Sequence, residues 1–159
     1  MKRIFVAAVA CLLSFAPARA DCDHFKWSVA RELGWFSASP KALPAEGGAA
    51  TPGAGFALTL AKGLSLPTPP EREPGKDTFA AVVSLPKLDA GRYQITLSDE
   101  AWIDVVENGE RVKSNDFSGQ KDCPGVRKTV RFDLTAGSAT VEISNASVGE
   151  LKFAVAPSP

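Results

Sequence analysis

Between Phe56 and Val155 the chain alternates apolar and polar residues with a period of two, and each run ends in a turn signal. Phe56, Leu58 and Leu60 alternate with Ala57 and Thr59, and Phe79, Ala81, Val83 and Leu85 form the next run. Asp89-Ala90-Gly91 turns the chain, after which Tyr93, Ile95 and Leu97 alternate with Arg92, Gln94 and Thr96. Trp102 to Val106 is followed by Asn108-Gly109, a strong hairpin signal because both residue types tolerate positive φ. Glu110 to Lys113 reads as the returning arm. Val130, Phe132 and Leu134 alternate with Thr129, Arg131 and Asp133; Val141 and Ile143 alternate with Thr140, Glu142 and Ser144; Leu151, Phe153 and Val155 close the series. Side chains of a strand point alternately to its two faces, so each run has one apolar face and one polar face. A wet face implies antiparallel sheets, and two such sheets have to bury their apolar faces against each other. The pattern predicts about eight strands in an all-β, two-sheet antiparallel sandwich of jelly-roll or immunoglobulin-like kind, with residues 56–159 as its domain.

The first twenty residues have a different character. Lys2 and Arg3 precede an uncharged apolar stretch, Ile4 to Ala16, and Ala18-Arg19-Ala20 is an A-x-A cleavage site. That is the layout of a secretory signal, residues 1–20, cut before Asp21. The apolar stretch is shorter than the ~20 residues that span a bilayer. Asp21 before Cys22 argues against lipid attachment there, and Lys2-Arg3 is not a twin-arginine signal. The expected product is periplasmic or secreted, with no transmembrane segment after signal removal. Cleavage takes three of the 18 basic residues and none of the 18 acidic ones, leaving a weakly acidic chain with 15 against 18. Nucleic acid is therefore not an expected partner, since its binding depends on phosphate neutralisation.

Cys11 leaves with the signal, and an exported chain with the two remaining cysteines, Cys22 and Cys123, most simply joins them. They lack C-x-x-C spacing, so the bond reads as a staple rather than a redox pair. It would tie down an N-terminal segment, residues 21–39, with a short helix from Phe25 to Leu33 capped by Asp23 and stopped at Gly34. Trp27, Trp35 and Phe36 would supply its packing. Residues 40–55 are Pro/Gly/Ala-rich without periodicity and read as a crossing, and residues 66–77 form a second, proline-rich break. Loops this long in a small domain are functional or mobile.

Leu88-Asp89-Ala90-Gly91-Arg92-Tyr93-Gln94-Ile95-Thr96-Leu97 resembles the entry strand of bacterial pre-peptidase C-terminal-type β-sandwiches, a resemblance covering residues 79–107. Ala101-Trp102-Ile103-Asp104-Val105-Val106 and Cys123-Pro124-Gly125-Val126-Arg127-Lys128-Thr129-Val130-Arg131-Phe132 are similar to stretches of small exported α-proteobacterial proteins of uncharacterised function. Proteins resembling these are sometimes labelled homogentisate dioxygenases. Such enzymes resemble large cupins that hold iron with two His and a carboxylate. The one histidine here, His24, does not supply that set.

The remaining candidates are small constellations. His24 sits beside Asp21 and Asp23, but in fourth place rather than the third that an amino-terminal copper site needs. Asp99, Glu100 and Asp104 cluster in sequence, and paired carboxylates serve calcium sites and glycosidases. Their spacing matches no calcium loop, and the bland reading is a solvated turn. Trp102 and Tyr93 would stack on sugar rings if exposed. Trp102 is in phase with Asp104 and Val106, opposite Ile103 and Val105, so it is either a core aromatic or a platform beside Asp104. Arg127, Lys128 and Arg131 form a basic set for an anionic group or for cross-strand pairs with Glu142 and Asp133. No G-x-S-x-G or Walker sequence occurs. The reading that results is an exported, non-enzymatic binding or interaction module of the bacterial cell envelope, taking a glycan, a peptide or a protein. No metal or cofactor is expected. Its candidate surface is the Trp102–Asp104 strand with the Asn115–Lys128 loop, through Asn115, Asp116, Arg127 and Lys128. The alternatives are a small glycan-acting hydrolase using Asp99, Glu100 or Asp104, a metal-dependent oxygenase, and a structural envelope subunit.

Overall fold

The computed structural model describes residues 22–158; the expected signal segment lies outside the described residues. Twelve strands occur among them rather than eight: β1 (Lys41–Leu43), β2 (Gly48–Ala49), β3 (Ala54–Thr59), β4 (Ala61–Lys62), β5 (Phe79–Leu88), β6 (Gly91–Leu97), β7 (Trp102–Glu107), β8 (Glu110–Val112), β9 (Ser114–Gly119), β10 (Lys128–Leu134), β11 (Gly137–Ala146) and β12 (Glu150–Pro157). The first sheet has the order β1-β3-β12-β6-β10-β9 and the second β2-β5-β11-β7-β8, with β4 also on β5. The all-β sandwich is as expected, but its sheets are mixed rather than purely antiparallel. β1 runs parallel to β3, and β2 runs parallel to β5. The chain passes from the first sheet to the second and back through residues 40–55, so these two short strands lie alongside partners running the same way. Two- and three-residue strands are too short to show a period of two, which is why the sequence pattern misses them. The Asn115–Lys128 loop is also corrected, since residues 115–119 lie in β9 and Lys128 opens β10. With Phe117 as its one large apolar residue, β9 shows no alternation.

The core follows the alternation. Leu58, Ile95, Leu97, Phe132 and Phe153 from the first sheet meet Val83, Leu85, Val105, Val141 and Ile143 from the second, all fully or almost fully buried. Trp102 is half-buried and outside that core, whereas its neighbours Ile103 and Val105 belong to it. The core reading of Trp102 is therefore corrected: it lies on the outer face of the second sheet, in phase with Asp104.

Neither outer face is simply wet. Residues 22–38 form a clasp over the first sheet, fastened by the Cys22–Cys123 disulfide. Within the clasp the helix α1 spans Ala30–Ser37, not Phe25–Leu33. Asp23 does not cap it; Ser28 Oγ accepts the Ala30 N–H at 3.3 Å, and Gly34 lies inside the helix. The reason is tertiary. Phe25 and Val29 are buried with Phe36, Val126 and Ala154 beneath the clasp, and the Lys26 N–H donates to Ser118 Oγ at 3.1 Å. Those contacts hold residues 25–29 against the sheet before the helix begins. Arg131 stacks its guanidinium 3.9 Å from the Trp27 ring centre. Glu32, 1% exposed, pairs with Arg31 at 2.9 Å and accepts from Gln94 Nε2 at 3.2 Å. α1 approaches β3 so closely that a Cβ on Gly55 would stand 2.9 Å from Trp35 Cβ.

The second sheet is crossed by the proline-rich segment between β4 and β5, a strap whose free amides are met by side chains below it. The Thr68 N–H donates to Glu142 Oε1 at 3.0 Å, Glu71 N–H to Asp104 Oδ2 at 3.1 Å, and Gly75 N–H to Asn145 Oδ1 at 2.8 Å. Proline has no N–H, so a strap rich in it leaves few donors to satisfy. Arg111 reaches up to the carbonyl of Pro69. Glu142, Asp104 and Ser144, polar residues on the expected wet face, are thereby only 1–2% exposed.

Candidate binding seam at the β7–β9 edge

β8 is shorter than the strand it pairs with. Its ladder covers only Val105↔Val112, Val106↔Arg111 and Glu107↔Glu110. After Val112 the chain crosses at Lys113 into β9 of the other sheet. Trp102, Ile103 and Asp104 consequently have β11 on one side and no strand on the other. A seam opens there between the sheets, with a volume of about 110 Å³. Ile103, Val112, Val130 and Phe132 form its apolar floor, and Trp102, Phe117 and Lys128 stand around its mouth. An engineered apolar cavity of ~150 Å³ takes up benzene, so this seam is on the scale of one apolar side chain.

Phe117 is the exposed large apolar residue of the described chain, at 63%. It pairs with Val130 and so points to the inner side of its sheet, where no strand of the second sheet covers it. A bulge at Asn115 helps place it: Arg131 faces Asp116 but Phe132 faces Ser114, leaving Asn115 as the extra residue. β9 is six residues long and outermost in its sheet, whereas the other edge strands β1, β2 and β8 have only two or three. Natural sheets usually blunt a long edge.

The sequence-derived site residues divide. Trp102, Asp104 and Lys128 come together at the seam. Lys128 Nζ donates to the Ala101 carbonyl at 3.0 Å and lies 5.1 Å from the Trp102 ring centre. Burial pushes its ammonium below the ordinary lysine range, opposed by the nearby Glu100 carboxylate. The Trp102 indole N–H donates to Asp104 Oδ1 at 3.2 Å, and Arg72 also lies over the ring, at 5.9 Å. With two cations over it the ring competes poorly as a sugar platform. Arg127 is not in the seam's lining and pairs with Glu100 at 2.6 Å. Asn115 and Asp116 turn elsewhere. Asn115 donates to Asp133 at 2.9 Å, and the Lys26 hydrogen bond at 2.6 Å holds the Asp116 carboxyl below its ordinary range. The cross-strand partners expected for the basic set are also corrected. Arg127 and Lys128 take Glu100, Asp133 takes Arg92 at 2.7 Å, and Glu142 takes the strap.

The carboxylate cluster of the sequence is dispersed. Asp99 accepts the Ser98 hydroxyl at 2.6 Å, Glu100 holds Arg127, and Asp104 lies under the strap. No group of three or more His, Cys, Asp or Glu among the described residues is arranged to hold a metal ion. The acidic pair that does form, Asp104 directly across the ladder from Glu142, brings together residues far apart in sequence. Burial and the facing Asp104 raise the Glu142 carboxyl above its ordinary range. The two open to different clefts, Asp104 to the seam and Glu142 to a hollow on the other flank of the strap. They offer no shared space where a sugar would meet both, as a two-carboxylate hydrolase requires.

Sequence reasoning missed Phe117, Val130, Phe132 and Val112 as a site. The available signal was one aromatic, Phe117, within the polar run Ser114-Asn115-Asp116-Phe117-Ser118-Gly119. No family model and no curated protein matches the chain.

Proposed function

We infer that the protein is an exported, non-enzymatic binding module of the cell envelope whose ligand is an extended peptide segment with an apolar side chain. The observation that carries this reading is the early end of β8. Trp102–Asp104 have no strand paired to them where β8 would continue, and the edge reaches solvent at half-buried Trp102. An extended peptide laid along that edge adds strand pairing, and its inward side chain enters the apolar seam. Main-chain bonds then supply affinity, and the seam supplies selectivity. Lys128 and Phe117 border the entrance on the β9–β10 side. The signal layout of residues 1–20, the Cys22–Cys123 bond and the lack, among the described residues, of a helix long and apolar enough to cross a membrane support the export part of the reading.

The test is selection of displayed random heptapeptides on the folded protein, followed by amide mapping of the enriched sequences. The expected result is apolar-centred peptides that shift Trp102, Ile103, Val112 and Phe117, and that lose binding in Val130→Trp, where an indole fills the seam. Peptides that bind the variant equally well, or that perturb other surfaces, would refute the reading.

A further inference from the structure

On the flank of the strap away from the seam, a second hollow of about 480 Å³ lies between the strap and the outer face of the second sheet. Its walls are largely apolar, with Pro67 and Pro69 from the strap and Val82 and Val106 from β5 and β7. Glu142 lines it, and the charges there do not balance. Two carboxylates, Asp104 and Glu142, face each other across the ladder, and Arg111 is the cation between them. Arg111 is ion-paired with Asp104, its Nε 3.2 Å from Oδ1 without an aligned hydrogen bond, and it donates through Nη2 to the Pro69 carbonyl. Asp104 also accepts from Trp102 and from the Glu71 amide, so its oxygens are occupied. Glu142 accepts the Thr68 amide through Oε1, and the Thr68 hydroxyl also favours its carboxylate, while Oε2 is buried with no partner of its own in a residue 1% exposed. A buried carboxylate oxygen without a donor is costly, and a charge-assisted donor repays more of that cost than a neutral one.

We propose that this hollow is a binding site for an alkylammonium group, with the Glu142 carboxylate as its anion and the Pro67–Pro69 and Val82–Val106 walls against its methylenes. An ammonium carries three donors on a compact charge and an alkyl stem, which matches a buried, donor-less carboxylate oxygen in the wall of an apolar hollow. The site is separate from the β7–β9 seam and does not depend on what the seam binds. The cation has two chemical sources, a free aliphatic diamine or a lysine side chain of another protein, and the probes distinguish them.

The experiment is amide-resolved titration of the full mature chain with 1,5-diaminopentane, Nα-acetyl-lysine methylamide, n-butanol and sodium chloride. Saturable shifts at Thr68, Val82, Thr140 and Glu142 are expected with at least one of the two amines. Preference for the diamine indicates a free polyamine, and preference for the lysine derivative indicates a protein ligand. Glu142→Gln keeps the acceptor for Thr68 and should weaken amine binding about tenfold or more, the scale of a lost charge-assisted hydrogen bond. Equal binding of n-butanol would make the hollow merely apolar and overturn the proposal. So would equal shifts with sodium chloride alone, undiminished amine binding by a folded Glu142→Gln variant, or no shifts from either amine. The comparison of amine, alcohol and salt uses the unaltered chain, so the test stands even if the variant fails to fold.

Discussion

Opening the Cys22–Cys123 bond is the perturbation whose size follows most directly from the fold. The two cysteines are 101 residues apart, and the chain-entropy relation gives about 4.7 kcal/mol for a loop of that length. Native disulfides span ~2–5 kcal/mol in practice, because denatured chains keep some compactness. At an unfolding entropy of about 2.1 cal/mol/K per residue, residues 22–158 give about 0.29 kcal/mol/K. The double variant Cys22→Ser/Cys123→Ser should therefore melt about 7–16 °C lower. Thermal unfolding is followed by far-ultraviolet circular dichroism and by tryptophan emission together. Trp27 and Trp35 report the clasp and Trp102 reports the seam. The clasp buries Phe25, Val29 and Phe36 and seats Arg131 on Trp27, so both probes should show one coincident transition. A shift below about 7 °C, with emission changing before circular dichroism, would refute the reasoning. It would show the clasp to be a separately fraying flap rather than part of the cooperative unit.

Three further outcomes follow from named contacts. Gly55→Ala should cost about 1–3 kcal/mol and loosen α1, because the new methyl meets Trp35 Cβ at 2.9 Å; denaturant unfolding and proteolysis near Arg31 check it. Glu142 binds its proton more tightly folded than unfolded, so its share of stability rises as pH falls from its raised folded value toward the unfolded glutamate value near ~4.3. Asp116 and Asp133 act in the opposite direction, losing stabilisation in acid, so the informative quantity is the difference between wild type and Glu142→Gln: the variant should gain most at neutral pH and nothing near pH 4, and a difference independent of pH would contradict it. Phe132→Ala should cost about 3–5 kcal/mol, whereas Phe117→Ser should stay within about 0.5 kcal/mol and impair only peptide capture, as melting and binding assays on both variants would show.

The sandwich was legible because its long strands alternate cleanly: Leu58, Ile95, Phe132, Val141 and Phe153 all lie in the core that their spacing implies. The disulfide was legible from two cysteines. The helix starts five residues later than expected and ends four later, because Phe25 and Val29 answer to the sheet beneath rather than to helical periodicity. The outer faces were misread as wet for a related reason. Thr140, Glu142 and Ser144 look like solvent-facing positions until the strap, itself without periodicity, is laid over them. The seam was hardest to see. Trp102, Asp104 and Lys128 were visible as chemistry, but the site arises from where β8 stops, and that depends on the chain changing sheets at Lys113. Local sequence carries no record of that choice beyond the lone exposed Phe117.

Amide hydrogen exchange at Trp102, Ile103 and Asp104, with and without a selected apolar-centred peptide, tests the binding seam most directly. The account predicts that exchange at this free edge slows markedly on binding, with Phe117 and Val112 also perturbed, and that Val130→Trp abolishes the effect. Peptide binding that leaves exchange at residues 102–104 unchanged would contradict the account.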